Sequence, residues 1–583
     1  MVSIRQHTKK LIFVLCLSVG IALLFREIQT LCNGQISVSH PSGFYNDSFR
    51  LEIDTGLLYD VYYTLDGSEP TTDSLRYEHG TPIEITDASS NQNRYVAQIN
   101  PYTEQPELLP ENLSNPDLYH SAPAQPADKC TVVRAAPFFM GKQVSDSVCC
   151  VYFVGWQNRA DYQNSYIVSI VADPDDLFGS EKGIMVGGQT METYLEKAEA
   201  GKLSDKELAL DPLWWPANYH ESGMDWERVV NISVFNQNRE KEMDQRCGIR
   251  IHGGVSRGLP LKSLRCYARK EYSGLDFFGV NWFGEGIQPS KFTLYSGGNE
   301  YLFNIKDHMI SHLSRELAVS TMDFIPCALF INGEFWGFYQ ISEHYNKKYI
   351  ADHFSVHENN VLMIKADEVA EGQLKDIRLY ESMVDYITNS DMTDDAHYRT
   401  ACDLIDMDSY IDYYAIQTYI ARTVDWPGAN FALWRTVEQE ESVYGDGKWR
   451  WMLFDANSRG MASDSYTCLE DDTLYHVLDS DEMFASLFRN QEFQEKFASR
   501  MLYIGSEILA PEKCSAFMDA FFTDFYGLHQ STNIRLNHKT METRLAAYRE
   551  NLNRFFAERY GIVCQQLEQH LDPIVFSALK TSR

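Results

Sequence analysis

Positive charge is scarce in this chain. Its 583 residues carry 51 Lys and Arg against 82 Asp and Glu, a formal net charge of −31. A field of that sign repels phosphate backbones unless basic residues gather in one cleft, so no nucleic-acid partner is expected. Cysteine is present without a framework: there are 12, with no CxxC pair, which argues against a zinc ribbon or a thioredoxin-type site. Most are expected to be buried thiols, with one or two disulfides, and the adjacent Cys149 and Cys150 should point to opposite faces of a strand. No HExxH segment, internal repeat or low-complexity tract occurs. The apolar run Leu11–Phe25 is 15 residues long, about 22 Å as a helix and short of the roughly 30 Å hydrocarbon layer. With Arg5, Lys9 and Lys10 before it and Arg26 after it, it reads as an export signal, cleaved or kept as an anchor. Membrane contact is expected through this segment alone, with the rest of the chain extracytoplasmic.

What is present is the composition of a folded protein: 44% hydrophobic, 13% aromatic and 23% charged residues. A chain of this length exceeds one core, so two or three domains are expected. Residues from about 35 to 155 hold short strand-like runs, of which "VYYTLDGSEPTTDS", with its Asp66-Gly67 turn, is the clearest. That is the pattern of a small β-sandwich, interrupted by a proline-rich loop at 100–129. Beyond about 165 the character becomes mixed. Glu227 to Phe235 alternates as a strand, while Ile305–Ala318, Ser409–Arg422, Glu492–Leu509 and Thr543–Leu571 space apolar residues three and four apart, as amphipathic helices do.

The chemistry-bearing segment is 409–460. A helical pattern ends near Arg422, and Pro427 and Gly428 then impose a loop. Phe431–Thr436 and Lys448–Phe454 read as hairpin strands that deliver Asp455 at their end. Asp425 and Asn430 are spaced D-x4-N. A carboxylate to take a hydroxyl proton, an amide oxygen for a hard cation and a second carboxylate on that cation are the parts phosphoryl transfer uses. Upstream, Gly253, Gly254 and Gly258 form a flexible loop with Ser256 and Arg257, suited to backbone contact with phosphates, and Lys262 follows on a strand. Arg250, Arg257, Lys262, Arg265, Arg269 and Lys270 fall within one short stretch and reverse the global sign locally. Asp307 and Glu316 are candidates to pair with Lys262. Asn332-Gly333 marks a hairpin turn, and Glu343 ends its second strand. His252, His308 and His344 lack metal-ligand spacing and read as structural, and Trp214, Trp215 and Trp226 as core or interface residues.

At these residues the chain resembles the CotH family, spore-coat-protein-H-like atypical protein kinases. The carriers are "RIHGGVSRGLPLKSLR", "LYSGGNEYLFNIKDHM", "INGEFWGFYQISEHYN", "VDWPGANFALWR" and "KWRWMLFDANSRG". The YTLDGSEPT stretch is similar to the fibronectin-like module at the C-terminus of chitobiases and β-hexosaminidases. The resemblance implies an α+β fold: a two-lobed kinase-like domain over 157–583, preceded by a small fibronectin-like β-sandwich over 33–156 and a signal or anchor over 1–32. It implies an exported kinase using ATP and Mg²⁺ on Ser or Thr of a surface or coat protein, itself included. Asp425 would be the catalytic carboxylate. Lys262, Arg257 and Glu343 would bind nucleotide, and Asn430, Asp455 and Asn457 the metal. Family members commonly carry a second acid where this chain has Asn457, which leaves open an inactive kinase-like adhesin or coat-assembly scaffold. Carbohydrate contact by the β-sandwich is implied by analogy alone.

Overall fold

The structure, a computed structural model, describes residues 34–56, 58–96, 123–156, 159–457, 459–536 and 541–581. The apolar run at 11–25 and most of the proline-rich stretch lie outside the described residues. Among the described residues no helix is long and apolar enough to cross a membrane.

The N-terminal module is two-layered. One layer is a six-stranded sheet ordered β2 (Gly43–Tyr45), β10 (Val148–Val154), β8 (Thr131–Phe139), β5 (Asp60–Thr64) and β6 (Leu75–Tyr77), with β9 (Lys142–Gln143) paired to β8. The other consists of two ribbons, β1 (Ser37–Val38) with β4 (Ile53–Asp54) and β3 (Phe49–Leu51) with β7 (Ile83–Ile85). Strand alternation divides the sheet's side chains between two cores. Val133, Ala135, Cys150 and Tyr152 meet Leu51, Ile53 and Ile85 of the ribbons in a small core, whereas Val132, Val151 and Phe153 join the large core of the following region. Cys149 and Cys150 accordingly face opposite ways. All ten described cysteines are free thiols, so the expectation of one or two disulfides is not met among the described residues. Most sit deep in apolar surroundings.

Next comes a closed barrel of seven strands in the order β11 (Tyr166–Val171), β12 (Arg228–Phe235), β13 (Lys241–His252), β14 (Ser263–Tyr267), β15 (Lys291–Tyr295), β17 (Glu334–Ser342) and β16 (Phe324–Ile331), closed by the parallel pairing of β16 on β11. Closure leaves no open edge. The β16–β17 turn at Asn332-Gly333, with Asn332 at φ +46°, is buried because the N-terminal module sits on it. The Cys130 N–H donates to Gly333 O at 2.8 Å. The Glu334 carboxylate accepts the backbone N–H groups of Arg94, Tyr95 and Val96 at 2.6, 2.8 and 2.8 Å. These charge-assisted bonds satisfy an acid that would otherwise be buried at high cost. Phe153 and Trp156 each lie 5.3 Å from the Phe330 ring, continuing one core across the junction.

A separate four-stranded sheet follows, ordered β19 (Glu368–Glu371), β18 (Val361–Lys365), β20 (Ala432–Thr436) and β21 (Arg450–Met452). Helices enclose it. The Met407–Tyr419 helix starts where the Asp406 carboxylate accepts the Ser409 N–H at 3.2 Å. It is buried on every side apart from Asp408, so it is a central core helix rather than the amphipathic one the spacing predicts. The Gln491–Tyr503, Pro511–Arg535 and Met541–His570 helices complete the C-terminal part. The described chain is therefore a β-rich N-terminal half and a mainly helical C-terminal half.

Candidate functional site

A cleft of about 510 Å³ opens between the barrel and the four-stranded sheet. Its barrel wall comprises His252 to Ser256, Ser263, Arg265, Thr293, Tyr295 and the end of β17 from Ser342 to Tyr345. Its opposite wall holds Met363 and Lys365 of β18, Asp425 and Asn430 of the loop after the central helix, and Phe454 and Asp455 beyond β21. The D-x4-N loop, the acid after the second hairpin and the glycine loop thus border one cavity.

Local backbone geometry aims the acids. Asp425 and Asp455 sit at φ +60° and +59°, a left-handed conformation that Asp tolerates better than most residues and that clusters at functional sites. The Asp425 carbonyl accepts the Asn430 N–H at 2.7 Å, closing the loop. The Asn430 amide in turn donates to Asp455 Oδ2 at 2.5 Å. Burial pushes the Asp455 carboxyl up, and the Asp425 charge adds to this, against the pull of Arg422 and Lys365. Asp307 lines the same cleft, accepts the Tyr295 hydroxyl and the Ala456 N–H, and is pushed up to about 6, chiefly by burial and then by Asp455. Asp307, Asp425 and Asp455 thus line one cavity, with Arg422 and Lys365 as the countercharges that pull on Asp455.

The cations lining the cleft are not Lys262 and Arg257, the two that the resemblance implies. Lys262 is buried with its ammonium 4.0 Å above the Tyr219 ring, donating to the carbonyls of Arg257 and Leu259 at 2.7 and 2.9 Å. It does not line the cleft and pairs with neither Asp307 nor Glu316. The reason is parity. Leu264 and Cys266 of β14 point into the apolar core, and Lys262 shares their side, while Ser263 and Arg265 alternate onto the cleft. Arg257 donates to the carbonyls of Gly253, His220 and Glu221 and staples the glycine turn, away from the cleft. Arg250 and Arg269 are bound to Glu227, and Lys270 to Asp276. The basic cluster therefore reduces to one cleft cation, Arg265, joined by Lys365, which sequence reasoning missed. Arg265 Nη2 lies 2.6 Å from His252 Nδ1, and its Nε has no hydrogen-bond partner. Burial and the neighbouring Arg265 hold His252 and His344 well below the usual histidine range. Both line the cleft. His308, bonded to Gln340 at 2.7 Å, remains so.

Burial also pulls Lys262 down to about 7. The unfolded chain then binds more protons at this site than the folded one between about pH 7 and 10, so the Lys262 contribution to stability rises with pH across that window. The melting temperature of wild type is expected to climb relative to Lys262→Met from pH 7 to pH 9. Parallel melting curves for the two proteins over that range would contradict the assignment.

Asn457 is a second correction. Residues 455–457 lie beyond the end of β21, where strand alternation no longer applies, and Asn457 is not among the residues that line the cleft. The Asn457 amide donates to Gly297 O and to the hydroxyl of Tyr295, itself a cleft residue, and its Oδ1 has no hydrogen-bond partner among the described residues, so Asn457 stands just behind the cleft lining and not on it. Glu343 does line the cleft, with its carboxylate engaged by the Asp323 N–H at 2.9 Å and by His353 Nε2 at 2.7 Å. Trp214 stands half exposed at the cleft margin and Trp215 is buried. The Gly254–Gly258 segment reads G-x-S-x-G, but it is a single 3-10 turn between two antiparallel strands and not the strand-to-helix elbow of a serine hydrolase.

The donors fit a divalent cation of one kind. Among the described residues no cluster of three or more His, Cys, Asp or Glu could hold a metal ion. An ion here would take the Asp455 carboxylate and, with its amide turned over, the Asn430 oxygen, leaving the remaining positions to phosphate and water. That is the habit of Mg²⁺. Burial and then the neighbouring Asp425 charge raise the proton affinity of Asp455, and such an ion would relieve both.

Comparison with known families gives two matches. A family described as CotH kinase protein matches residues 249–563, just over half of the chain, and the chitobiase/beta-hexosaminidase C-terminal domain matches residues 40–99. No curated protein matches the chain.

Proposed function

Because the chain belongs to the CotH kinase protein family, we propose that it transfers the γ-phosphate of ATP to Ser or Thr hydroxyls of surface or coat proteins, itself included. The single observation that carries this reading is the meeting of Asp425, Asn430 and Asp455 with Arg265 and Lys365 in one cleft between two β units. That arrangement supports a two-lobed kinase-like division of labour, with barrel and glycine loop on one side and acidic loops on the other.

In this reading Arg265 and Lys365 bind phosphate oxygens. The half-buried Arg265 guanidinium lines the cleft and its Nε has no hydrogen-bond partner among the described residues, which suits it to an anion. Asp455 and Asn430 would hold Mg²⁺. When bound, that ion would neutralise phosphate charge and polarise the γ-phosphoryl group. Asp425 orients the acceptor hydroxyl and takes its proton as the new O–P bond forms and the bond to the bridging oxygen breaks, releasing ADP. The glycine turn brings backbone close to the phosphates.

Export and tethering by the apolar segment at 11–25 belong to the same reading, as does carbohydrate contact by the N-terminal module. Family membership supports a surface location. Asn457, which brings no charge where family members commonly carry an acid, favours a second reading: a kinase-like adhesin or coat scaffold without transfer. Incubation of the full chain with ATP, Mg²⁺ and surface proteins of its source, followed by mass-spectrometric mapping, separates the two. New phosphoserine or phosphothreonine is expected, and none on any protein would leave the scaffold.

A further inference from the structure

We propose that the β8–β9 hairpin of the N-terminal module is a second membrane contact, seated on the lipid surface beside the point where the apolar segment joins the fold. The proposal rests on the reading of residues 11–25 as a membrane anchor and adds a surface that this reading does not contain.

The hairpin breaks its own turn chemistry. Met140 and Gly141 form its two-residue loop, both in the left-handed region at φ +49° and +75°. Such loops favour Asn-Gly or Asp-Gly, since a longer side chain is strained there. Met140 takes that strain and is 87% exposed, so it gains nothing from packing within the chain. Its neighbours are also apolar and open. Phe139, Val144 and Leu58 are 41%, 44% and 58% exposed, and the Tyr59 ring lies 6.0 Å from that of Phe139. A local rule broken without a folded-state return points to something outside the fold.

Chain geometry identifies the occupant. Gly34, the first described residue, rests on this patch. A Cβ placed on it would lie 2.5 Å from Val144 Cγ2 and 3.6 Å from Pro137 and from Tyr59, and its carbonyl accepts the Ser145 hydroxyl at 2.7 Å. Only nine residue steps separate Gly34 from Phe25 at the end of the apolar run, a span of at most about 30 Å. A bilayer holding that run therefore lies within reach of this end of the module. Charge does not oppose the contact. In an otherwise acidic chain, Asp60 is paired with Arg76 and Asp146 with Arg246, while Lys142 is exposed. Exposed Phe and Met flanked by Lys suit the headgroup boundary.

The test uses the natural methionines of the full chain in vesicles of phosphatidylcholine with a minority of phosphatidylglycerol. Peroxide oxidation is followed by peptide mass spectrometry at Met140, with the half-exposed Met224 as internal reference. Met140 is expected to oxidise about tenfold more slowly than Met224, although it is the more exposed in the fold, because lipid covers its sulfur. Oxidation of Met140 as fast as Met224 in chain that sediments with the vesicles would overturn the hairpin contact and leave the anchor standing. Failure to sediment would overturn both. Protection that disappears as the protein-to-lipid ratio is lowered would assign the patch to a second copy and overturn the lipid contact.

Discussion

Asp425→Asn is expected to lower transfer of phosphate from ATP by about two to four orders of magnitude, the usual share of a positioned general base, while the protein folds as before. Asn is nearly isosteric with Asp and tolerates the φ of +60° at this position. The loop is closed by the residue's backbone carbonyl, which accepts the N–H groups of Ala429 and Asn430 at 3.3 and 2.7 Å and is unaltered by the change. What the variant loses is a charged oxygen facing the cleft. A transfer assay beside a thermal melt checks both halves of the expectation. Transfer at the wild-type rate in a normally folded variant would remove Asp425 from its role.

Arg265→Met is expected to weaken ATP binding by about tenfold to a hundredfold, since hydrogen bonds to charged groups contribute about 1.5–3 kcal/mol each. Lys262→Met should leave that affinity close to wild type, because the Lys262 ammonium lies against Tyr219 and two carbonyls. The Lys262 backbone carbonyl, which accepts the Tyr339 hydroxyl at 3.0 Å, is preserved in that variant. Calorimetric titration of both variants distinguishes the two lysine and arginine assignments directly. Loss of binding in Lys262→Met with none in Arg265→Met would reverse them.

The exchange of Lys262 for Arg265 shows how far the sequence could be read and where it stopped. Glycines followed by a basic strand point to the right segment, since turn and strand chemistry are local. Which cation reaches the cleft depends on strand parity, and the parity is written in the sequence: Leu264 and Cys266 are apolar and alternate with Ser263 and Arg265. Lys365 had no comparable signal. It ends β18, and only the antiparallel pairing of β18 with β20, which sets Lys365 opposite Ala432, carries it to the wall occupied by Asn430. Resemblance alone assigns Asn457 to the metal, and its position behind the cleft lining, bonded to Tyr295 and Gly297, depends on the loop beyond β21 and not on any local spacing. The hairpin turn at Asn332-Gly333 was legible from its dipeptide, but its burial under the N-terminal module, through Glu334 and the backbone of 94–96, is a long-range pairing. Closure of the barrel is likewise non-local, since it depends on β16 pairing in parallel with the distant β11.

Equilibrium binding of ATP with Mg²⁺ to the wild type and to Asp455→Ala tests most directly whether one cleft gathers these acids and cations for a nucleotide. The wild type is expected to bind and to be stabilised against heat in proportion to ligand concentration, and the variant to lose the Mg²⁺-dependent part of that affinity. Absence of binding to the wild type, or equal Mg²⁺-dependent affinity in both proteins, would contradict the account.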